Sequence, residues 1–97
     1  MADTTPIHPL RQRMIEDMTL RGINSASQKT YLRAVRACCT RVGRRPAELT
    51  AEDARAFLLH LQRQGLSIGS INSPATGLRF FLRVTLGASA DIDRVPI

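Results

Sequence analysis

The stretch that most constrains the fold of this chain is residues 24–45, NSASQKTYLRAVRACCTRVGRR. At about 100° per residue, Tyr31, Val35, Cys38 and Val42 fall on one side of a helix. The six basic residues of the segment, which contains no acidic residue, are Lys29, Arg33, Arg36, Arg41, Arg44 and Arg45. The spacing therefore predicts one amphipathic helix that has an apolar face toward a core and a cationic face toward solvent.

The cationic face indicates a polyanionic partner. The chain has 14 Lys and Arg against eight Asp and Glu, a net charge of +6, and no acidic residue between Met18 and Ala47. Such a balance favours nucleic acid over an anionic membrane surface, and a membrane-binding helix would need apolar residues that are required here for the core. We therefore predict double-stranded DNA as the partner.

Two further helices have clear local signals. Residues 9–21 place Leu10, Met14 and Met18 four apart, and Gly22 is a natural helix stop. Residues 51–64 follow Thr50, which has Asp53 three positions later, the pattern of a capping box. The second helix can begin from either of two capping residues, Asn24 or Ser25.

The fourth helix is less regular. Ser67 can cap a helix that continues to about residue 86, but Pro74 and Gly77 interrupt it. The sequence leaves two alternatives, one helix bent near Pro74 or a short turn followed by a helix over 74–86, and the bent helix is favoured slightly. Arg79 and Arg83, four residues apart, form a second basic row on this helix.

These segments predict an all-α fold, a single compact four-helix bundle over residues 9–87. A chain of 97 residues is long enough for one modest domain. Residues 1–8 are expected to be a flexible tail and residues 88–97 a linker or tail.

Catalytic chemistry is not indicated. His8 and Arg11 match an H-x-x-R pair but have no nearby nucleophile, Tyr31 belongs to an apolar stripe, and His60 lies between two leucines. The adjacent Cys38 and Cys39 fit neither a disulfide framework nor a C-x-x-C motif. Metal-ligand spacing and glycine-rich phosphate loops are absent from the sequence, so we expect no metal, no cofactor, no small-molecule substrate and no enzyme activity. Without a long apolar run or signal peptide, a cytoplasmic location is predicted.

The order of four segments resembles a known family. These segments are LRQRMIEDMTLRGI (10–23), S-x-x-TYLRAVR (27–36), LTAEDARAFLLHLQRQGLS (49–67) and SIN…LRFFLRVTLG (70–87). Together they are similar to the N-terminal core-binding, SAM-like domain of tyrosine recombinases and phage-type integrases. The resemblance implies a four-helix bundle whose second and fourth helices approach the DNA major groove. It also implies contacts with other recombinase protomers.

The resemblance maps onto the two basic rows, one of which contains Lys29, Arg33 and Arg36 and the other Arg79 and Arg83. The catalytic residues of the family belong to a C-terminal domain that this chain lacks. We therefore expect an excised domain, a truncated product or a remnant that binds a DNA site without catalysis. The alternative is a protein-interaction module, or a truncated recombinase that associates with full-length partners.

Overall fold

The computed structural model describes residues 9–87, which fold into four α-helices. Their bounds are α1 (Pro9–Leu20), α2 (Ser25–Val42), α3 (Ala51–Arg63) and α4 (Ile68–Phe80). A 3-10 turn at Pro46–Glu48 lies between α2 and α3, and a π-helical turn at Phe81–Thr85 continues α4. The described range contains no strand, which confirms the predicted all-α fold. The predicted tails at 1–8 and 88–97 lie outside the described residues.

The helix ends follow from local capping chemistry. The side chain of Asn24 accepts a hydrogen bond from the Ser27 N–H at 2.8 Å and so caps α2, which resolves the choice between Asn24 and Ser25. Thr50 and Asp53 form the predicted capping box at the start of α3, with reciprocal bonds of 3.0 and 3.1 Å. Gly43 ends α2 in the left-handed conformation, with φ of 74°, which an L side chain adopts only with strain.

The core lies where the apolar stripes of all four helices meet. Its largest fully buried side chains are Phe81, Met14, Met18, Leu78, Leu82 and Cys38. The predicted stripe residues Tyr31, Val42 and Leu61 are only half-buried, at the edge of this core. The buried residues of α2 lie between positions 34 and 39, and α2 packs on α4 more extensively than on the other helices, so the bundle holds α2 in place.

The path of α4 settles one of the alternatives left open by the sequence. A single α-helix runs through Pro74, so the alternative of a turn followed by a helix over 74–86 is wrong. Proline at 74 removes one hydrogen bond to the carbonyl of Ser70, and Ser70 is exposed, so water can hydrate that carbonyl. The change of helix type comes later, where the Leu86 N–H donates to the Phe81 carbonyl oxygen at 2.9 Å, five residues back.

Gly77 explains how α4 can pack so closely on α2. A Cβ placed on Gly77 would lie 2.9 Å from both the Cα and the Cβ of Tyr31. Real Cβ atoms essentially never approach a neighbour so closely, so the backbones of the two helices could not approach this far with any other residue at 77. The glycine that interrupts the helical pattern in the sequence is therefore a packing requirement of the fold.

Two polar contacts attach α1 to the end of α4. The buried Thr85 hydroxyl donates to a carboxylate oxygen of Asp17 at 3.0 Å, across 68 residues of sequence. The guanidinium of Arg21 lies over the ring of Phe80, 5.6 Å from its centroid. These contacts close the bundle on the side of α4 where the π-helical turn begins.

Candidate nucleic-acid interface

The outer face of α2 carries a row of cations. Lys29, Arg33 and Arg36 are all exposed, and helical geometry puts them within about 60° of one another. Val35 and Cys38, on the opposite side, are buried in the core. Within residues 9–87, none of the three cations has a carboxylate partner. The row is thus held on a fixed helix with its positive charge uncompensated by an ion pair.

The predicted basic residues at the end of α2 differ in their surroundings. Arg41 and Arg45 are exposed. Arg44 instead forms an ion pair with Asp53, with 3.0 Å between its Nε and the carboxylate Oδ2. Because Asp53 also caps α3, this pair joins the turn after α2 to the start of α3, and the charge of Arg44 is partly neutralised within the protein.

The second predicted row, Arg79 and Arg83, lies at the end of α4 and in the π-helical turn that follows it. Gly77 faces α2, and Arg79 follows it by two residues, or about 200° around the helix. This rotation places Arg79 on the flank of α4 away from α2, where it is half-buried, and Arg83 is exposed in the π-helical turn. Both arginines are engaged in interactions of their own.

A depression between α2 and α3 continues the α2 row, and the sequence reasoning did not anticipate it. It consists of two adjoining grooves of about 670 and 260 Å³ that share Arg41, Phe57 and His60. Arg33 and Arg36 line the larger groove and Arg63 the smaller. The sequence contains one indication of this depression: His60 and Arg63 are three residues apart and therefore lie on the same side of α3. Which helix faces that side depends on the packing of the bundle.

The residues weighed for catalysis form no catalytic arrangement within the described range. Tyr31 is half-buried beside Gly77, Arg11 is exposed on α1, and His8 lies outside the described residues. No group of three or more His, Cys, Asp or Glu side chains between residues 9 and 87 is placed to hold a metal ion.

Both cysteines are free thiols inside the bundle. The Cys38 sulfur is fully buried, 3.8 Å from the carbonyl oxygen of Asp53. Burial, followed by the nearby Cys39 and Asp53, raises the pKa of the Cys38 thiol to about 12. Burial likewise raises the pKa of Cys39. Because the thiolate is the reactive form, these cysteines are packing residues and not nucleophiles.

Among the helices of residues 9–87, none combines the length and the apolar character needed to cross a membrane.

Comparison with known proteins identifies the family. The family described as "Phage integrase, N-terminal SAM-like domain" matches residues 10–92. The chain is also 40% identical over 79 residues to a protein of Sinorhizobium fredii (strain NBRC 101917 / NGR234) named as an integrase/recombinase, y4qK. That alignment covers 80% of this chain but only 26% of the relative, so the chain spans about a quarter of that protein's length. No solved structure gave a significant match. Because the family model matches residues 10–92, most of its length, the chain belongs to the family of phage integrase N-terminal SAM-like domains.

Proposed function

We propose that this chain binds double-stranded DNA through the outer face of α2, as the N-terminal domain of a tyrosine recombinase, and does not catalyse strand exchange by itself. The observation that carries the proposal is the row of Lys29, Arg33 and Arg36, which is exposed and has no carboxylate partner within residues 9–87. Membership of the integrase family supports DNA as the polyanion. This function requires access to DNA, in agreement with the cytoplasmic location predicted from the sequence.

The dimensions of α2 suit a DNA groove. At 1.5 Å rise per residue, Lys29 and Arg36 are separated by about 10 Å along the helix axis. The major groove of B-DNA, about 12 Å wide, admits one α-helix, and basic side chains on its outer face reach the phosphates that border the groove. The packing of Val35 and Cys38 holds the helix in the bundle, so little backbone entropy is lost on binding, and the entropy cost is that of ordering the cationic side chains.

The other predicted DNA contacts are expected to contribute unequally to the binding affinity. Arg41 and Arg45 are exposed and can add phosphate contacts. Arg44 should contribute less because binding DNA would compete with its ion pair to Asp53. Arg79 on α4 and Arg83 in the π-helical turn remain predicted contacts.

The proposal is tested by replacing Lys29, Arg33 and Arg36 together with alanine and titrating DNA at several salt concentrations. For each phosphate contact, the logarithm of the binding constant falls by about 0.9 for a tenfold rise in salt concentration. Each contact therefore strengthens binding by about eightfold at 0.1 M salt relative to 1 M salt. The triple variant should therefore bind more than tenfold more weakly, with a salt slope shallower by about 2 to 3.

The matched control removes the same charge from elsewhere on the surface. Arg11, Arg13 and Arg55 are exposed residues outside the α2 row, and Arg55 lies 3.8 Å from Glu52. Their triple replacement by alanine should change the affinity by much less than the α2 variant does. Equal weakening by both triple variants would mean that net charge alone attracts DNA, and it would overturn the assignment to α2.

A protein-interaction module is the second candidate function, and it is favoured by one observation. Leu66 and Ile68, at the corner between α3 and α4, are 37% and 71% exposed. Apolar side chains at one corner can contact another protomer of a recombinase. Under this candidate, light scattering with a full-length recombinase would detect a stable complex, and DNA binding by the chain alone would be weak and insensitive to salt.

A further inference from the structure

We infer that the depression between α2 and α3 holds a segment of the backbone of the bound DNA, so that His60 and Arg63 on α3, together with Arg41 on α2, are DNA contacts. This inference rests on the proposed function and extends the binding surface to a second helix. It assigns a role to two α3 residues that are not among the DNA contacts predicted from the sequence.

The charge of the depression is the first argument. Its two grooves are lined by four arginines and one histidine, namely Arg33, Arg36, Arg41, Arg63 and His60, and by no acidic residue. The acidic residues of α3, Glu52 and Asp53, lie in its first turn and are paired with Arg55 and Arg44. Over the ten residues from Asp53 to Arg63 the helix advances about 15 Å, so these carboxylates are remote from the basic end of the helix.

Continuity with the α2 row is the second argument, and it favours DNA over other anions. Arg33 and Arg36 belong both to the exposed row and to the lining of the larger groove. A DNA strand whose phosphates meet these two arginines would therefore pass over the mouth of the groove and reach Arg41 and His60. Between the cations the lining is mainly apolar, with Ala37 and Leu61 beside the one hydroxyl group of Thr40, and the apolar part suits the carbon atoms of a deoxyribose.

The basic residues at the end of α3 could also serve only to stabilise that helix, and this role must be distinguished from DNA binding. His60 and Arg63 lie in the last turn of α3, where positive side chains also interact favourably with the helix dipole. Such a role would affect the stability of the protein but would not change its affinity for DNA. Measuring both quantities on the same variants separates the two roles.

The test uses the full 97-residue chain and a short mixed-sequence DNA duplex. Arg41 and Arg63 are exposed, so Arg41→Gln with Arg63→Gln should leave the fold intact, as checked by thermal unfolding. Each phosphate contact changes the affinity about eightfold at 0.1 M salt, so the double variant should bind at least tenfold more weakly, with a salt slope shallower by about 2. Because Arg41 also belongs to the proposed α2 surface, Arg63→Gln alone should account for about half of this loss in log units. His60→Gln should weaken binding by a smaller factor because glutamine keeps a hydrogen-bond donor at this position.

The matched control is Arg13→Gln with Arg55→Gln, which removes two exposed charges, one of them from α3 itself, outside the depression. The affinity of this control for the duplex should change by less than about threefold, whereas the loss of one phosphate contact changes it by about eightfold. In an NMR titration, the amide signals of Leu61 and Arg63 should shift on addition of the duplex, whereas that of Arg55 should not.

The outcomes separate this inference from the proposed function. If the unmodified chain does not bind the duplex, both are overturned. If it binds but the depression variant and its control behave alike, DNA binding stands and the depression is not part of the interface. If a polyglutamate peptide shifts the Leu61 and Arg63 signals while the duplex does not, the occupant is an acidic protein segment and the inference is wrong.

Discussion

Replacing Gly77 by alanine tests how closely α2 and α4 approach each other. The added methyl group would lie 2.9 Å from the Cα and Cβ of Tyr31 and 3.0 Å from its Cδ1. Two of these three atoms cannot move away by a change of rotamer, because Cα belongs to the backbone and Cβ is fixed to it. The substitution therefore forces the two helices apart by several tenths of an ångström.

Two opposing effects determine the sign of the change in stability. Alanine is favoured over glycine inside a helix by about 1 kcal/mol. Overpacking a well-packed interface costs about 1–3 kcal/mol, and more when backbone must move. Because the clash here is with backbone, we expect the overpacking cost to exceed the helical gain and a net loss of about 1–2 kcal/mol, a large share of the stability of a small domain.

The same substitution at Gly69 is a matched control in the same helix. A Cβ there would meet only the Ser67 hydroxyl oxygen, at 3.9 Å, an ordinary van der Waals contact. Gly69→Ala should therefore be neutral or stabilising by up to about 1 kcal/mol. The two variants differ in the contact with α2 and not in the residue introduced.

Thermal unfolding followed by circular dichroism measures both variants. A change of 1 kcal/mol moves the Tm of a domain this size by about 4–8 °C, so Gly77→Ala should melt clearly below the parent chain and Gly69→Ala at or above it. Shortening Tyr31 to alanine should not rescue Gly77→Ala because the Cα and Cβ atoms remain. A rise in Tm for Gly77→Ala equal to that for Gly69→Ala would refute the close approach of α2 and α4.

Three further outcomes are expected. Thr85→Val should cost about 1–2 kcal/mol in chemical denaturation because it removes the hydrogen bond to Asp17; an unchanged midpoint would contradict that bond. Asp53→Ala should cost about 1 kcal/mol because it removes one of the two capping-box bonds, the one from the Thr50 N–H to the Asp53 carboxylate, and Arg44→Ala much less, since that side chain is half exposed. In the native protein neither cysteine should react with a thiol reagent at neutral pH, whereas both should react in denaturant. Burial raises the pKa of Cys38 from 9.0 to about 12. Between pH 9 and about pH 12 the thiol therefore stays protonated in the folded chain but ionises in the unfolded chain, which favours unfolding. The contribution of Cys38 to the free energy of unfolding should thus be constant below pH 9 and decline between pH 9 and about pH 12.

The parts of the fold that could be predicted depend on interactions between residues close in sequence. The Asn24 cap and the Thr50–Asp53 capping box join atoms three residues apart, and Gly43 acts through its own backbone angles. The burial pattern of α2 follows from its apolar spacing. For the same reason the row of Lys29 to Arg36 was visible in the sequence, because residues three and four apart share a helix face.

The features that could not be predicted depend on how one helix packs against another. In the sequence Pro74 marked the expected irregularity, yet α4 continues through it and changes to π geometry at Phe81. Likewise, Gly77 looked like a weak helical position until its contact with Tyr31 was known. The bond from Thr85 to Asp17 spans 68 residues, so no local pattern announces it.

The amino-acid sequence by itself therefore determined the first three helices and most of their ends, the cationic face of α2 and the resemblance to recombinase domains. Tertiary structure alone decided which cations lie together: it paired Arg44 with Asp53, turned Arg79 away from α2, and brought His60 and Arg63 to the groove beside Arg41. The physical reason is that helix formation and capping act over about four residues, whereas the surface presented to a partner depends on interhelical distance and orientation. In this bundle that distance is set by a single glycine, Gly77, packed against the backbone of α2.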